Sequence, residues 1–398
     1  MTREEIRNDI LNIRSKYILA ELPTSVGKSR VALDFMHEKK ITGKILIVVP
    51  RLVLINNWRD EFIKWGYEPY LKKNTVFTTY RSLHKHVNIK FDLVIFDECH
   101  HLSERAREIT EELNSEYYIL LSATVSRTLK KEIKILFPEL KCYKVSMREA
   151  IDEEILPDPK VFLIPLKLGN GIPTETMIIN PKAKDPMVDI PFAQRFMARK
   201  NKKIKFRVFC NQKNYYEDLS AMVDFYKRQY LHTNNQVFYF RWQQKAKERL
   251  MWLSGLKNNI VRELLSKLKD KRVLTFCNGI EQTEMLGEYC INSKNNNAIQ
   301  HLEDFNNNKI QHITACNMLD EGVNLVNCQV GIFVNINSSD TMRIQKLGRI
   351  LRHKNPMIFV LYYENTREEE LVKEMLENYN SELITVVNNF KQLNEISY

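Results

Sequence analysis

Short apolar runs that recur along two stretches of the chain constrain its fold more than any other feature. The first stretch contains runs at 18–20, 45–49, 93–96 and 118–121, and the second contains runs at 273–276, 313–316, 330–334 and 358–362. Runs of this kind, mostly aliphatic or aromatic and without polar alternation, are typical of strands buried on both faces of a sheet. Longer amphipathic segments, such as residues 54–65, separate them. This alternation predicts an α/β fold with two parallel sheets in tandem.

The composition is that of a large globular chain and excludes several other classes. The 398 residues predict two or three domains, and 44% apolar with 27% charged residues argues against disorder. The 7 cysteines form no C-x-x-C pair and predict mostly buried thiols in a reducing compartment. No uncharged apolar run approaches the ~18 residues of a membrane span, and the charged first 15 residues lack the apolar core of a signal peptide. We therefore expect a soluble, cytoplasmic protein without a membrane partner.

The positive charge of the chain is concentrated in one block. The net charge is +11, and residues 191–250 contain 14 Lys and Arg against 4 Asp and Glu. The cations alternate with aromatic residues in two clusters, at 192–209 and at 238–249. Such a mixture fits a nucleic-acid strand or a duplex junction. The alternative is a small aromatic core with solvated charges, and we expect a mixture of the two.

The interruption between the two apolar stretches divides the chain into three predicted parts. Seven of the 12 prolines lie between residues 157 and 191, which indicates a linker with edge strands, because proline cannot donate to a sheet ladder. The predicted parts are a first α/β domain at 1–148, a linker with the basic, aromatic-rich insertion at 149–260, and a second α/β domain at 261–398. The tail, 367–398, is predicted to form one or two helices.

A loop after the first apolar run has the composition of a phosphate site. Residues 22–29 read Leu-Pro-Thr-Ser-Val-Gly-Lys-Ser and precede a helical segment. Backbone N–H groups and the helix dipole then face an anion, Lys28 can reach β- and γ-phosphates, and Ser29 can hold Mg²⁺. Leu22 replaces the first glycine of the strict pattern, so an ordinary capped loop is the alternative.

Two carboxylates follow the third apolar run directly. Asp97 and Glu98 end a predicted buried strand, where charge is costly unless it meets a cation or takes part in chemistry. Asp97 could hold Mg²⁺, and Glu98 could orient and deprotonate an attacking water. The neighbouring Cys99, His100 and His101 suggest a zinc site, but adjacent residues rarely converge on one ion. We expect no structural zinc, and two acidic residues that merely end a strand are the remaining alternative.

Four ordered motifs resemble those of the superfamily 2 helicases and translocases, the DExD/H group. They are Lys28-Ser29 (motif I), Asp97-Glu98-Cys99-His100 (a DECH motif II), Ser122-Ala123-Thr124 (motif III) and Gln345 to Arg352 (Q-x-x-G-R-x-x-R, motif VI). Weaker matches are Pro50-Arg51 followed by Trp58 (Ia), 78–82 (Ib), 276–278 (IV) and 320–324 (V). The resemblance covers about residues 17–150 and 270–365.

The resemblance implies two RecA-like domains with ATP and Mg²⁺ in the cleft between them. Arg349 and Arg352, three residues apart and so on one helix face, would reach the γ-phosphate, and Gln345 would help to position the water. The implied catalytic residues are Lys28, Asp97, Glu98, Gln345, Arg349 and Arg352. The implied nucleotide-binding residues are Pro23, Thr24, Ser25, Val26, Gly27, Lys28, Ser29, Gly322 and Asn324. Ser29 and Asp97 are the implied Mg²⁺ ligands.

The resemblance also implies contacts to one nucleic-acid backbone. Arg51, Thr79 and Arg81 come from motifs Ia and Ib, and hydroxyl and guanidinium groups suit phosphate oxygens. From the basic block we add Arg199, Lys200, Lys202 and Lys203.

The motifs lead to an ATP-dependent helicase or translocase as the expected function. DNA is the preferred substrate, as a single strand or branched duplex, because the motif variants look like those of DNA repair, recombination, restriction-associated and phage-type members. The alternatives are an ATP-gated DNA clamp or annealing factor without processive unwinding, and an RNA helicase.

Overall fold

The computed structural model describes residues 1–171, 175–178, 207–316, 325, 327–336, 346–377 and 379–389. Its strands are β1 (Tyr17–Glu21), β2 (Ile45–Val49), β3 (Thr75–Thr79), β4 (Lys90–Phe96), β5 (Asn114–Ser122), β6 (Lys141–Lys144), β7 (Lys160–Leu166), β8 (Glu175–Ile178), β9 (Arg207–Cys210), β10 (Val273–Phe276), β11 (Cys290–Ile291), β12 (His312–Ala315), β13 (Val330–Phe333), β14 (Met357–Tyr363) and β15 (Ile384–Val386).

The helices fill the segments between these strands. They are α1 (Arg3–Leu11), α2 (Lys28–Glu38), α3 (Leu54–Lys64), α4 (Glu68–Lys73), α5 (Glu104–Glu111), α6 (Arg127–Leu136), α7 (Met147–Asp152), α8 (Gln212–Thr233), α9 (Gln236–Leu256), α10 (Asn258–Lys267), α11 (Ile280–Leu286), α12 (Ala298–Asn306) and α13 (Arg367–Leu376). Short 3-10 helices cover Tyr80–His86, Cys99–His101 and Ser381–Leu383. Residues 346–350 are also helical.

Six parallel strands form the first sheet, in the order β3-β2-β4-β5-β1-β6. Ile45 and Ile47 of β2 enter the core that holds α1, α2 and α3, whereas Leu46 and Val48 enter the core that holds α5 and α6. Both faces are therefore covered, which explains the unbroken apolar runs. Because all the strands are parallel, the loops after β1 to β5 emerge at one edge, where ligands of such sheets bind.

Seven parallel strands form the second sheet, in the order β11-β12-β10-β13-β14-β7-β15. The α/β fold with two parallel sheets is thus confirmed, and every apolar run of the sequence coincides with a strand of its predicted sheet to within one residue. Residues 384–386 form an edge strand, so the prediction of helices alone for the tail is wrong. Residues 390–398 lie outside the described part of the chain.

β7 joins the second sheet from within the segment predicted as linker. It pairs along its whole length with β14, but with β15 only at Val161–Leu163. Pro165 therefore lies where β7 has one neighbour, and its missing N–H leaves no gap in a ladder. The expectation of a proline-bearing edge strand holds only for this end of β7. The division of the chain at 149 and 260 stays a prediction.

A long helical hairpin, α8 and α9, lies between β9 and β10 along the chain. Aromatic rings fill the seam between its helices, with Tyr230 within 5.2 Å of Tyr239 and 6.2 Å of Trp242 between ring centroids. Phe240, in contrast, is 67% exposed. The aromatic residues of the cluster at 238–249 therefore pack in part within the hairpin, and the binding of its cations to nucleic acid stays a prediction. Most of the first basic cluster, with Arg199, Lys200, Lys202 and Lys203, lies outside the described residues.

A buried ion pair fixes the base of this hairpin to the second sheet. Nζ of Lys257, between α9 and α10, lies 2.7 and 2.8 Å from the two carboxylate oxygens of Glu368 on α13. The ammonium also donates to the main-chain oxygens of Val334 and Leu361, and Asn335 Nδ2 donates to Glu368 at 2.6 Å. The hairpin, α13 and the carboxyl ends of β13 and β14 therefore share one polar core.

The thiols agree with one further expectation. All seven cysteines are free and six of them are buried, as predicted. None of the helices that the structure describes is long and apolar enough to cross a bilayer.

Candidate active site

The loop between β1 and α2 forms the candidate phosphate site. Residues 22–27 leave the carboxyl end of β1, and Lys28 begins α2. Ser25 and Gly27 turn the loop with φ angles of +75° and +111°. Glycine adopts such angles freely, whereas a serine there stores strain. The first N–H groups of α2 have no partner within the helix and lie at the positive end of its dipole. This end of the helix therefore suits a phosphate.

The predicted acidic pair lies beside this loop at the end of β4. Oε1 of Glu98 lies 3.3 Å from Nζ of Lys28, and Oε2 lies 3.3 Å from Nδ1 of His100. Burial raises the pKa of Glu98, but Lys28 and His100 outweigh it and hold that pKa below its usual range. Burial, followed by the charge of Glu98, raises the pKa of Asp97. Glu98 therefore ionises more readily than Asp97, and an added cation would favour the ionised form of Asp97.

His100 connects the acidic pair to the end of β5. Its Nδ1 lies 3.1 Å from Oγ of Ser122, which donates to the main-chain oxygen of Thr124 at 2.8 Å. The main-chain N–H of Leu22 donates to the oxygen of Ser122 at 2.9 Å. The segments that resemble motifs I, II and III thus share one hydrogen-bonded network.

The second domain contacts the phosphate loop directly. Oγ of Ser25 donates to the main-chain oxygen of Gly348 at 2.7 Å, and Nε of Arg352 donates to the same Oγ at 3.1 Å. A Cβ atom at Gly348 would lie 2.4 Å from Cβ of Thr24, so a side chain has no room there. The structure therefore places the helix that carries Arg349 against the loop that begins α2, as predicted for a cleft between the domains.

The residues at this cleft fit ATP with Mg²⁺. Among the described residues, Nζ of Lys28 and Oγ1 of Thr24 are buried and make no hydrogen bond, so both can serve phosphate oxygens. The carboxylate of Asp97 and the hydroxyl of Ser29 are the oxygen ligands that Mg²⁺ prefers. When bound, the cation neutralises charge on the β- and γ-phosphates.

A cavity of about 1000 Å³ opens at the same edge of the first sheet. Its lining includes all three predicted nucleic-acid contacts from this domain, Arg51, Thr79 and Arg81. It also includes Ser103 and Arg105 at the start of α5, which sequence reasoning missed because no recognised motif covers them. No carboxylate stands among the described residues that line it, whereas Arg51, Arg81 and Arg105 each contribute a guanidinium group.

Several predicted site residues lie outside the described part of the chain. They are Gln345, Gly322, Asn324, Arg199, Lys200, Lys202 and Lys203. Their roles, and those assigned to individual residues of the cleft and the cavity, stay predictions.

The fold and the cleft define a two-domain P-loop ATPase. Residues 3–127 match the family model described as Type III restriction enzyme, res subunit, and residues 256–354 match that of the helicase conserved C-terminal domain. These matches cover more than half of the chain, in the order that the motifs predict. The chain belongs to superfamily 2 of the ATP-dependent helicases and translocases.

Individual relatives agree with this assignment. The DNA 3'-5' translocase XPB2 of Sulfurisphaera tokodaii is 25% identical over 379 residues, which are 86% of this chain and 76% of that protein. The Hef helicase domain of Pyrococcus furiosus has a TM-score of 0.52 at 14% identity, over 94% of this chain and 97% of that one. Dbp5 of S. cerevisiae, bound to RNA and ADP BeF3, has a TM-score of 0.61 at 9% identity, over 98% and 91%. The two structures, at such low identity, are evidence for the RecA-like fold alone.

Proposed function

We propose that this chain is an ATP-driven translocase that moves along one strand of DNA and remodels or unwinds branched duplexes. The observation that carries the proposal is the cavity with Arg51, Arg81 and Arg105, which opens beside the acidic pair. Guanidinium groups contact phosphates without reading bases, as a motor that tracks a backbone requires. The name of the Sulfurisphaera tokodaii relative supports DNA as the substrate.

The cleft suggests how hydrolysis would drive such movement. Lys28 would hold the β- and γ-phosphates, Ser29 and Asp97 would hold Mg²⁺, and the ionised Glu98 would orient the attacking water. Arg349 and Arg352, assisted by Gln345, would stabilise the charge that develops on the γ-phosphate. Arg352 contacts the phosphate loop through Ser25, so a γ-phosphate bound there would add a further link between the domains, and its loss would remove that link. Alternating closure and opening would then move the chain along the strand.

The basic block is proposed to select the substrate. Arg199, Lys200, Lys202 and Lys203 would bind the branched part of the duplex, which gives the generic motor a preference for forks and a role in repair or recombination. Free, buried thiols support the predicted cytoplasmic location.

A substrate screen tests the proposal. ATP hydrolysis is measured with no nucleic acid, single-stranded DNA, forked DNA and RNA, and strand displacement is measured on forked DNA and duplex RNA. We expect DNA to stimulate hydrolysis, with forked DNA most effective. We also expect the chain to displace a strand from forked DNA. Absence of stimulation by any nucleic acid would refute the proposal, stronger stimulation by RNA would indicate an RNA helicase, and stimulation without displacement would indicate an ATP-gated clamp.

The salt dependence of DNA binding tests the cavity. The triple variant Arg51→Gln, Arg81→Gln and Arg105→Gln removes three phosphate contacts, so the slope of log affinity against log salt should fall by about 2 for single-stranded DNA. The exposed Arg127→Gln on α6 is the control and should keep the slope. An unchanged slope in the triple variant would place the strand elsewhere. Glutamine at Arg199, Lys200, Lys202 and Lys203 should flatten the slope separately while basal ATP hydrolysis continues.

A further inference from the structure

Asp97 accepts hydrogen bonds from residues on both faces of the first sheet. On one face, the indole Nε1–H of Trp58 donates to Oδ2 of Asp97 at 2.8 Å. On the other face, the phenol O–H of Tyr80 donates to the main-chain oxygen of Asp97 at 2.8 Å. The main-chain N–H of Asp97 donates to Val48 of β2 at 2.9 Å. Three separate elements therefore fix this one residue.

Both side-chain donors are shielded from solvent. Trp58 is 2% exposed and Tyr80 is 8% exposed, so water cannot readily replace either hydrogen bond. An indole N–H can only donate, so Oδ2 of Asp97 must act as the acceptor. The hydrogen bond therefore fixes the rotation of that carboxylate. Groups behind a metal ligand that orient it in this way typically change metal affinity 10–100-fold when they are lost.

One of the two donors lines the candidate DNA cavity, and the other lies on a helix that follows a lining segment directly. Tyr80 stands between Thr79 and Arg81 and lines the cavity itself, and α3, which carries Trp58, begins three residues after Arg51. A phosphate backbone in the cavity would press on the segment whose hydroxyl holds the main chain of Asp97. A single hydrogen bond, from Tyr80 to Asp97, therefore connects the cavity to the predicted Mg²⁺ ligand.

We propose that Trp58 and Tyr80 are positioning residues for Asp97: Trp58 orients its carboxylate toward Mg²⁺, and Tyr80 couples its backbone to strand binding in the cavity. This inference rests on the proposed DNA-dependent ATPase. It attributes the coupling between the DNA cavity and the ATP site to the hydrogen bonds that Trp58 and Tyr80 donate to Asp97. Separate variants can remove each of them.

Matched aromatic variants of the full chain separate the two roles. Trp58→Phe keeps a ring and removes the N–H, and it should raise about tenfold the Mg²⁺ concentration needed both for fluorescent ADP binding and for half-maximal ATP hydrolysis. The rate at saturating Mg²⁺ should change far less. Trp65→Phe is its control, because Trp65 follows α3 and donates to the half-buried Glu61 instead of to Asp97. A Mg²⁺ dependence of Trp58→Phe equal to that of the control would overturn the role of Trp58.

Tyr80→Phe removes only the hydroxyl that reaches Asp97. The ratio of DNA-stimulated to basal hydrolysis should fall several-fold, while DNA affinity stays within about twofold, because the hydroxyl faces Asp97 and makes no ion pair with phosphate. Tyr118→Phe is the control: it also removes a buried phenol that donates to a main-chain oxygen, at Leu113, within the same core. Full stimulation in Tyr80→Phe would overturn the coupling. Absence of stimulation in the wild-type chain would instead refute the proposed function itself.

Discussion

Glu98→Gln is expected to leave ATP bound while hydrolysis slows about 10²–10⁴-fold, the range that general-base groups contribute. The glutamine keeps the size of the side chain, but it removes the negative charge and cannot accept a proton from the attacking water. The ion pair with Lys28 at 3.3 Å disappears as well, which frees the ammonium for phosphate oxygens. Binding should therefore persist, or strengthen, in the variant that cannot turn over.

Two measurements and two further variants test this expectation. Single-turnover hydrolysis reports the chemical step, and a fluorescent ATP analogue reports binding. Lys28→Ala should lose both, because it removes the cation that holds the β- and γ-phosphates. Glu108→Gln, an exposed change on α5, should match the wild-type chain in both. Wild-type turnover in Glu98→Gln would refute the assignment of Glu98 as the base.

The core strands could be predicted from sequence because burial on both faces leaves a mark in the residues themselves. β2, the last four residues of β4 and β14 are continuous apolar runs, and their parallel order follows from the helices between them. β6 and β15 carry no such mark, since they lie at sheet edges and are largely exposed. Pro165 made β7 difficult to predict as a strand. The proline is tolerated only because the ladder with β15 ends at Leu163.

The candidate cleft was predictable to the extent that its residues follow strands. Lys28, Asp97 and Ser122 each lie at or just beyond the carboxyl end of a strand or its loop, and parallel strands bring these ends together. The side-chain contacts between segments carried no signal in the sequence. Trp58 and Asp97 are 39 residues apart and Tyr80 is 17 residues from Asp97, and only the packing of α3 and the 3-10 helix on opposite faces brings them to one residue.

Removing the buried ion pair at the base of the hairpin is expected to lower the stability of the protein strongly. Lys257→Met should lower the free energy of unfolding by about 3–5 kcal/mol, because it leaves the carboxylate of Glu368 buried without its cation. The side chains of Lys257 and Glu368 are 0% and 4% exposed, so water cannot take over the lost contact. The hairpin base and α13 would lose their shared core, and unfolding in urea or by heat measures the loss.

A double variant and an exposed pair distinguish this mechanism from a general effect of losing a lysine. Lys257→Met together with Glu368→Gln removes the isolated charge, so the double variant should be less destabilised than the sum of its two single variants. Lys373→Met breaks the exposed pair with Glu369 on the same helix, α13, and should change the melting temperature little. Additive losses in the double variant, or equal losses from Lys257→Met and Lys373→Met, would contradict the buried pair as the cause. A strong coupling energy would show instead that charge pairing inside the core fixes the hairpin to the second domain.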